Sequence, residues 1–299
     1  MCDRFGFLPC DWSIKFDGGD ISPIPEIYKI RKAVEKNTNQ DGFLYPPRSW
    51  RVRLEPRTSR RLGKIPGSER PALLHPVAPS HELSLTARLN QKELRNGPGG
   101  FLIHLLAYLF GVRLQFHDWR FDSRVPIRMA QTHNIHFTNA TAEDFLSHCY
   151  RAWQGWSNQE QLLITNVLFM HSRAPSYEWD WERFVIEYMV LDGCWRLAEL
   201  RHDIKGKNHS QRISRLCQKF GISYDRSRVG RIVALRNDLF HETLWAGSQP
   251  GTAVSSDAFL QPSNLRRLNQ RLIPALFGYK NAYVNSMWWS IGAYSFDKQ

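Results

Sequence analysis

The sequence predicts an α+β protein in which a β-rich or mixed N-terminal domain, residues 1–138, precedes an all-α helical bundle, residues 139–299. Up to residue 138 the chain is interrupted by proline and glycine. It contains short stretches of alternating polar and apolar residues, such as 12–16 and 112–116, which are typical of strands. After Asn139 the apolar residues recur with helical spacing. A chain of 299 residues is long enough for two such domains.

Six helices are predicted in the second domain. Thr141 is expected to cap the first, Gly221 to end the fourth, and Pro274 to bend the last. The second to fifth helices are expected over 162–170, 180–202, 210–220 and 226–244, and the sixth is expected to begin near residue 263. Helices of this number and length predict a bundle.

The charge balance favours a polyanionic partner. Forty Lys and Arg face 28 Asp and Glu, which leaves a net charge of +12, and an excess of this kind is typical of nucleic-acid-binding proteins. Residues 48–95 hold eleven basic and four acidic residues. This basic loop region is either an RNA-contacting surface or a solvated linker.

The five cysteines show neither a CxxC pair nor the spacing of zinc ligands, so no metal or cofactor is expected. The N-terminus lacks the charged start and long apolar run of a signal peptide. The longest apolar run, 101–110, is about half of what a membrane span needs. These features predict a cytoplasmic protein without membrane attachment, in which 101–110 is a buried element.

An arginine followed five positions later by a histidine occurs three times in the chain, where about one pair is expected by chance. The pairs are Arg70/His75, Arg128/His133 and Arg236/His241. The first two fall in turn-rich or irregular stretches. Only the third lies on a strongly predicted helix, so we regard it as the candidate functional pair.

On a helical wheel, Arg236 falls in the middle of an apolar stripe. The stripe consists of Val229, Ile232, Val233, Leu239 and Phe240. Asn237 and His241 are four residues apart, and are therefore neighbours at its edge. A buried arginine must be paired or hydrogen-bonded, because an unpaired buried charge costs several kcal/mol. The three residues are expected to form a polar cluster beside apolar packing.

The helix predicted over 180–202 shows the complementary feature. Asp192 and Glu199 fall within its apolar stripe on the wheel. One of these supporting carboxylates is expected to pair with Arg236 or to orient His241. The alternative is a buried ion pair that only fixes the register of the bundle.

Arg236-Asn237 with His241, on a helix approached by Val229 to Leu235, resembles the signature of HEPN ribonuclease domains. The resemblance covers 141–299 and implies a dimerising bundle in which two copies of the motif face one cleft. Many members are metal-independent ribonucleases in toxin–antitoxin, abortive-infection or CRISPR-linked defence, and others are non-catalytic. The intact Arg, polar residue and His favour the active class.

The chemistry of these residues suits RNA cleavage. His241 could accept the 2′-OH proton or protonate the leaving 5′-oxygen, Arg236 could stabilise the charged phosphate, and Asn237 could orient either group. We therefore expect a metal-independent endoribonuclease that leaves 2′,3′-cyclic phosphate ends. It would act as a homodimeric toxin or anti-phage effector, controlled by an antitoxin or trigger, with residues 1–138 selecting substrate or gating the nuclease. The alternatives are a non-catalytic module that binds nucleic acid or nucleotide, and a structural partner-binding domain.

Overall fold

The computed structural model describes residues 3–47, 52–69, 74–86, 97–117, 119–128, 135–251, 260–290, 292 and 294–297. Within these ranges a small β-rich N-terminal region precedes a mostly helical part. The predicted α+β class is confirmed at this level.

Thirteen short strands occur in the described ranges. They are β1 (Asp3–Gly6), β2 (Ile14–Phe16), β3 (Gly19–Pro23), β4 (Phe43–Leu44), β5 (Val52–Leu54), β6 (Arg61–Lys64), β7 (His81–Leu85), β8 (Gln115–Phe116), β9 (Val125–Pro126), β10 (Ile135–His136), β11 (Trp245–Ala246), β12 (Gln249–Pro250) and β13 (Tyr294–Ser295). Five of them form an antiparallel sheet in the order β2-β3-β7-β1-β8. Paired residues such as Ile14, Ile21 and Leu83 are buried in the core.

Nine α-helices lie within the same described ranges. They are α1 (Ile27–Asn37), α2 (Pro98–Phe110), α3 (Asn139–Gln154), α4 (Asn158–Arg173), α5 (Asp180–His202), α6 (His209–Phe220), α7 (Arg226–His241), α8 (Gln261–Leu276) and α9 (Ala282–Asn285). The prediction for α5 is confirmed at both ends. The cap assigned to Thr141 is wrong, because the side chain of Thr138 accepts from the Thr141 amide and caps α3.

Helix α2 connects the two parts of the molecule. All of its residues after Pro98 are buried, as predicted for the apolar run 101–110, and it packs against α3 and α4. Core residues from the sheet, from α2 and from α3 to α8 form one continuous hydrophobic cluster. The boundary predicted at residue 138 therefore coincides with the start of α3, but the residues on its two sides share a core.

A buried polar cluster joins α4, α5 and α8. Glu187 is 1% exposed and its carboxylate accepts from His171 Nδ1 at 3.0 Å, Asn269 Nδ2 at 2.8 Å and Arg266 Nη1 at 2.5 Å. Burial acts to raise the pKa of Glu187, but His171 and Arg266 hold it below its ordinary value. Burial, followed by the charge of Arg266, lowers the pKa of His171. Hydrogen bonds to the Glu187 carboxylate therefore tie the three helices together.

The region predicted to be a basic loop, 48–95, lies partly outside the described residues. Its described part includes the antiparallel hairpin β5–β6, in which every strand residue is exposed. Arg57, Arg60 and Arg61 are exposed on this hairpin.

In the part of the chain that the structure describes, no helix combines the length and apolar character required to cross a bilayer.

Candidate active site

Helix α7 carries the motif on its C-terminal turn. Asp225 caps its start by accepting from the Arg228 amide at 2.9 Å, and Val229, Ile232 and Leu235 bury one face of it. The helix ends at His241 rather than at the predicted residue 244. The motif therefore lies at a helix end on the surface, where Arg236 is half-buried and both Asn237 and His241 are exposed.

The structure brings the three predicted residues together around the Arg236 guanidinium. Nη1 of Arg236 donates to Nε2 of His241 at 2.6 Å and to Oδ1 of Asn237 at 3.2 Å. Because a guanidinium only donates, Nε2 of His241 is the acceptor, and the proton of the neutral ring is on Nδ1.

The rest of the guanidinium packs on aromatic rings. Its central carbon lies 5.1 Å from the ring centre of Phe240 and 6.0 Å from that of Tyr188, within the usual range of cation–π contacts. Nε of Arg236 is buried without a hydrogen-bond partner in the described part of the chain. Arg236 therefore has an unfilled donor beside the histidine.

The expectation that Arg236 pairs with an inward-pointing carboxylate is wrong. Asp192 is exposed and Glu199 is half-exposed. Glu199 instead accepts from Arg196 at 2.6 Å, away from the motif. Asp192 does lie beside the motif: burial raises the pKa of its carboxyl, and the charges of His209, Arg212 and Arg236 oppose that shift.

A second histidine belongs to the same site. His209 is the first residue of α6, and its Nδ1 lies 3.0 Å from the hydroxyl oxygen of Tyr188, a buried residue of α5. Burial lowers the pKa of His209, and so do the positive charges of Arg236 and Arg212, while Asp192 opposes the shift. The charge of Arg236 therefore acts on His209, and together with burial it favours the neutral imidazole.

Sequence reasoning missed His209 because no local spacing connects it to the motif. The segment between α5 and α6 folds α6 back onto α5, which brings His209 to Tyr188, 21 positions earlier in the chain. Only a weak local signal indicates the position of His209. Asn208 is a good helix cap whose side chain accepts from the Gln211 amide, and it places His209 in the first helical turn.

The hairpin β11–β12 follows the motif in the chain and contacts the start of α5. The indole ring of Trp245 stacks on that of Trp181 with ring centres 5.1 Å apart. The Trp181 amide donates to Ser248 O at 2.9 Å, and Gln249 Nε2 donates to Asp180 Oδ2 at 3.0 Å. Trp245 is 42% exposed and Phe240 is 46% exposed, so an aromatic surface lies next to the motif.

The site thus combines two imidazoles, a guanidinium and a buried phenol where α5, α6 and α7 meet. An arginine can bind a phosphate, and two imidazoles can take the two proton-transfer roles of a phosphodiester cleavage. No group of three or more His, Cys, Asp or Glu in the described ranges is arranged to hold a metal ion. Comparisons with protein-family models, curated proteins and solved structures give no match.

Proposed function

We propose that the protein is a metal-independent, HEPN-like endoribonuclease whose active site contains Arg236, Asn237, His241 and His209. The observation that supports this most strongly is the placement of two histidines around one half-buried arginine that has no carboxylate partner among the described residues. A structural arginine is normally paired. An arginine that keeps donors available beside imidazoles is suited to an anion that undergoes proton transfer.

In this proposal His209 is the general base. Its lowered pKa keeps the imidazole neutral near pH 7, so it can accept the proton of a ribose 2′-hydroxyl. The 2′-oxygen then attacks the adjacent phosphorus while the bond from phosphorus to the 5′-oxygen breaks. Tyr188 holds His209 in position through their hydrogen bond.

His241 is the general acid and Arg236 stabilises the charge on the phosphate. A bound phosphate competes for the Arg236 donor that now occupies His241 Nε2, and this frees Nε2 to carry a proton to the 5′-oxygen. The C-terminal end of a helix stabilises positive charge, and His241 is the last residue of α7. The products are a 2′,3′-cyclic phosphate and a 5′-hydroxyl.

The surroundings of the site suit an RNA substrate and a second protomer. The net charge of +12 and the exposed arginines of β5–β6 favour a polyanion. Phe240 lies within the motif segment and Trp245 shortly after it, both are exposed, and apolar surface of this kind is typical of binding faces. We therefore include a homodimer, a cytoplasmic toxin or anti-phage role, and control by an antitoxin or trigger in the proposal.

A non-catalytic nucleic-acid-binding module is the second candidate. It is favoured by one observation: Nε2 of His241 is occupied by Arg236, as it would be if His241 only oriented the arginine. The two candidates differ in whether RNA is cut, and in whether His241 is needed for binding or for cleavage.

The test is to incubate the purified full chain with total RNA, with and without excess EDTA. We expect cleavage that EDTA does not abolish and fragments that end in 2′,3′-cyclic phosphate. His241→Ala is expected to bind RNA but not to cut it. Arg196→Ala, which removes an exposed arginine of α5 that pairs with Glu199, is the matched control and should cut like wild type. Zinc-reversible loss of activity in EDTA, or full activity in His241→Ala, would contradict the proposal.

A further inference from the structure

A second polar cavity lies between α4 and the segment that follows α2. Its volume is about 380 Å³, near the lower end of the range for small-molecule pockets. It is separate in sequence from the motif. Its lining includes Arg113, Gln115, Trp119, Arg120 and Asp122 from the N-terminal part, with Phe169 and Arg173 from α4.

The cavity carries an excess of positive charge. Among the described lining residues, three arginines and one aspartate are charged: Arg113, Arg120, Arg173 and Asp122. Asp122 accepts from Arg173 Nη2 at 2.7 Å and from Arg113 Nη2 at 3.4 Å. One carboxylate therefore compensates two guanidiniums only in part, and Arg120 adds a further positive charge at the rim.

The crowding of these arginines is costly without an anion. Burial, together with the nearby charge of Arg173, lowers the pKa of Arg113 to about 10. Burial alone would raise the pKa of Asp122, but the two arginines hold it below its ordinary value. Both shifts reflect guanidiniums that converge on one place, and a bound phosphate would relieve that repulsion.

Two residues that line the cavity each contain a buried polar atom without a partner among the described residues. Gln115 is 8% exposed and Arg113 is 3% exposed, yet Gln115 Oε1 and Arg113 Nε make no hydrogen bond among the described residues. Buried polar groups almost always have partners. An unpaired acceptor and an unpaired donor on two lining residues therefore favour a ligand with both kinds of polar group.

The cavity also has aromatic walls. Trp119 is half-buried and its orientation is fixed by an edge-on contact with Phe116, with ring centres 5.2 Å apart. Phe169 of α4 is likewise half-buried. Aromatic side chains beside arginines are suited to a planar ring attached to a phosphate.

We propose that this cavity binds one nucleoside monophosphate. The phosphate would contact Arg120 and the Arg113–Arg173 pair, and the base would lie against Trp119. The polar edge of the base would approach Gln115 and Arg113. The volume restricts the ligand to a single nucleotide, so the cavity is a small-molecule site and not part of an RNA track.

Isothermal titration calorimetry of the full chain tests this with three probes: adenosine monophosphate, adenosine and inorganic phosphate. We expect the nucleotide to bind more tightly than either of the other two, because each presents only half of the recognised chemistry. Arg120→Gln should weaken nucleotide binding about tenfold, and Trp119→Leu about tenfold or more. Arg196→Gln, an exposed arginine on α5, should bind like wild type.

Arg120 is exposed, so its substitution leaves the fold intact even if Trp119→Leu does not fold. Equal affinity for phosphate and nucleotide would overturn the assignment, because it would indicate a simple anion site. Equal affinity for adenosine and the nucleotide, equal weakening by Arg120→Gln and Arg196→Gln, or no binding of the nucleotide would overturn it as well.

Discussion

Helix α5 contributes to two clusters that contain the same kinds of residue. One cluster joins Glu187 to His171 and Arg266, and the other places Asp192 beside His209 and Arg236. In the first, Glu187 and His171 are buried, the Arg266 side chain is 14% exposed, and the carboxylate is shared among fixed donors. In the second, the carboxylate is exposed, and the arginine is bound to a histidine instead of a carboxylate.

We infer from this difference that the first cluster is structural and that the second is suited to bind an anion. Removing one member of an ion pair whose partners are all protein groups leaves the other charge stranded. A half-open arginine with available donors contributes little to stability, but it can bind an incoming anion. Composition is the same in both clusters, so burial and hydrogen-bond partners decide the role.

The largest expected effect on stability is that of Glu187→Ala. The substitution removes the carboxylate from the buried cluster and leaves Arg266, whose side chain is 14% exposed, without its partner, so the free energy of unfolding should fall by about 3–5 kcal/mol. Glu199→Ala is the matched control on the same helix. It breaks only an exposed pair with Arg196 and should cost at most about 1 kcal/mol. Urea unfolding measures both, and equal losses would remove the distinction between the two clusters.

Buried histidines should also make stability depend on pH. Burial lowers the pKa of His81 from 6.5 to about 4, so the folded state resists protonation more than the unfolded state does. Its contribution is complete above pH 6.5 and is lost as pH falls towards 4. Between about pH 7.5 and about pH 5 this amounts to about 2 kcal/mol. Urea unfolding at both values should show a smaller pH dependence for His81→Leu, and an unchanged one would contradict this interpretation.

RNA binding should depend on a different surface from RNA cleavage. Replacing Arg57, Arg60 and Arg61 with Gln on the exposed β5–β6 hairpin should weaken binding of long RNA. It should also flatten the salt dependence by about 0.9 units of log–log slope for each lost phosphate contact, while cleavage of short oligonucleotides persists. Gln at Lys29, Lys32 and Lys36, exposed on α1, removes the same charge elsewhere. Equal changes in salt slope would show that only the net charge matters.

The smallest expected effect distinguishes Asp192 from Glu199, the two carboxylates that the sequence suggested as supports for the motif. Asp192→Asn removes a negative charge that opposes the lowering of the His209 pKa. The pKa of His209 should therefore fall further, and the acid limb of the cleavage rate should move to lower pH. Glu199→Gln should leave the profile where it is. Rate profiles measured over the same pH range would contradict this assignment if the two variants shifted alike.

The helices and the three motif residues were predictable because both depend on local spacing. The end of α5 and the proximity of Arg236, Asn237 and His241 follow from positions within a few turns of one helix. The helical wheel was wrong for α5, because it placed Asp192 and Glu199 within the apolar stripe. The buried face contains Phe184, Glu187 and Leu191 instead. Glu187 lies three residues after Phe184 and four before Leu191, so this helical spacing was visible in the sequence.

The remaining features depend on contacts between distant segments, which local patterns do not encode. Glu187 is explained only by His171 and Arg266, which belong to α4 and α8. His209 enters the site only because α6 folds back onto Tyr188. The shared core across residue 138 likewise depends on the burial of α2 among helices that follow it much later in the chain.

The most direct test of the proposed mechanism uses an RNA oligonucleotide in which sulfur replaces the bridging 5′-oxygen at one cleavage site. A thiolate leaves without a proton, so cleavage there needs no general acid. The rate of single-turnover cleavage is measured for wild type, His209→Ala and His241→Ala on the sulfur-containing and the ordinary oligonucleotide.

We expect both variants to cut the ordinary oligonucleotide about 10²–10⁴ times more slowly than wild type. Sulfur should bring His241→Ala to within about tenfold of wild type, because the missing acid is no longer needed, whereas His209→Ala should stay impaired because its base is still absent. Rescue of neither variant, or rescue of His209→Ala alone, would contradict the roles assigned to the two histidines.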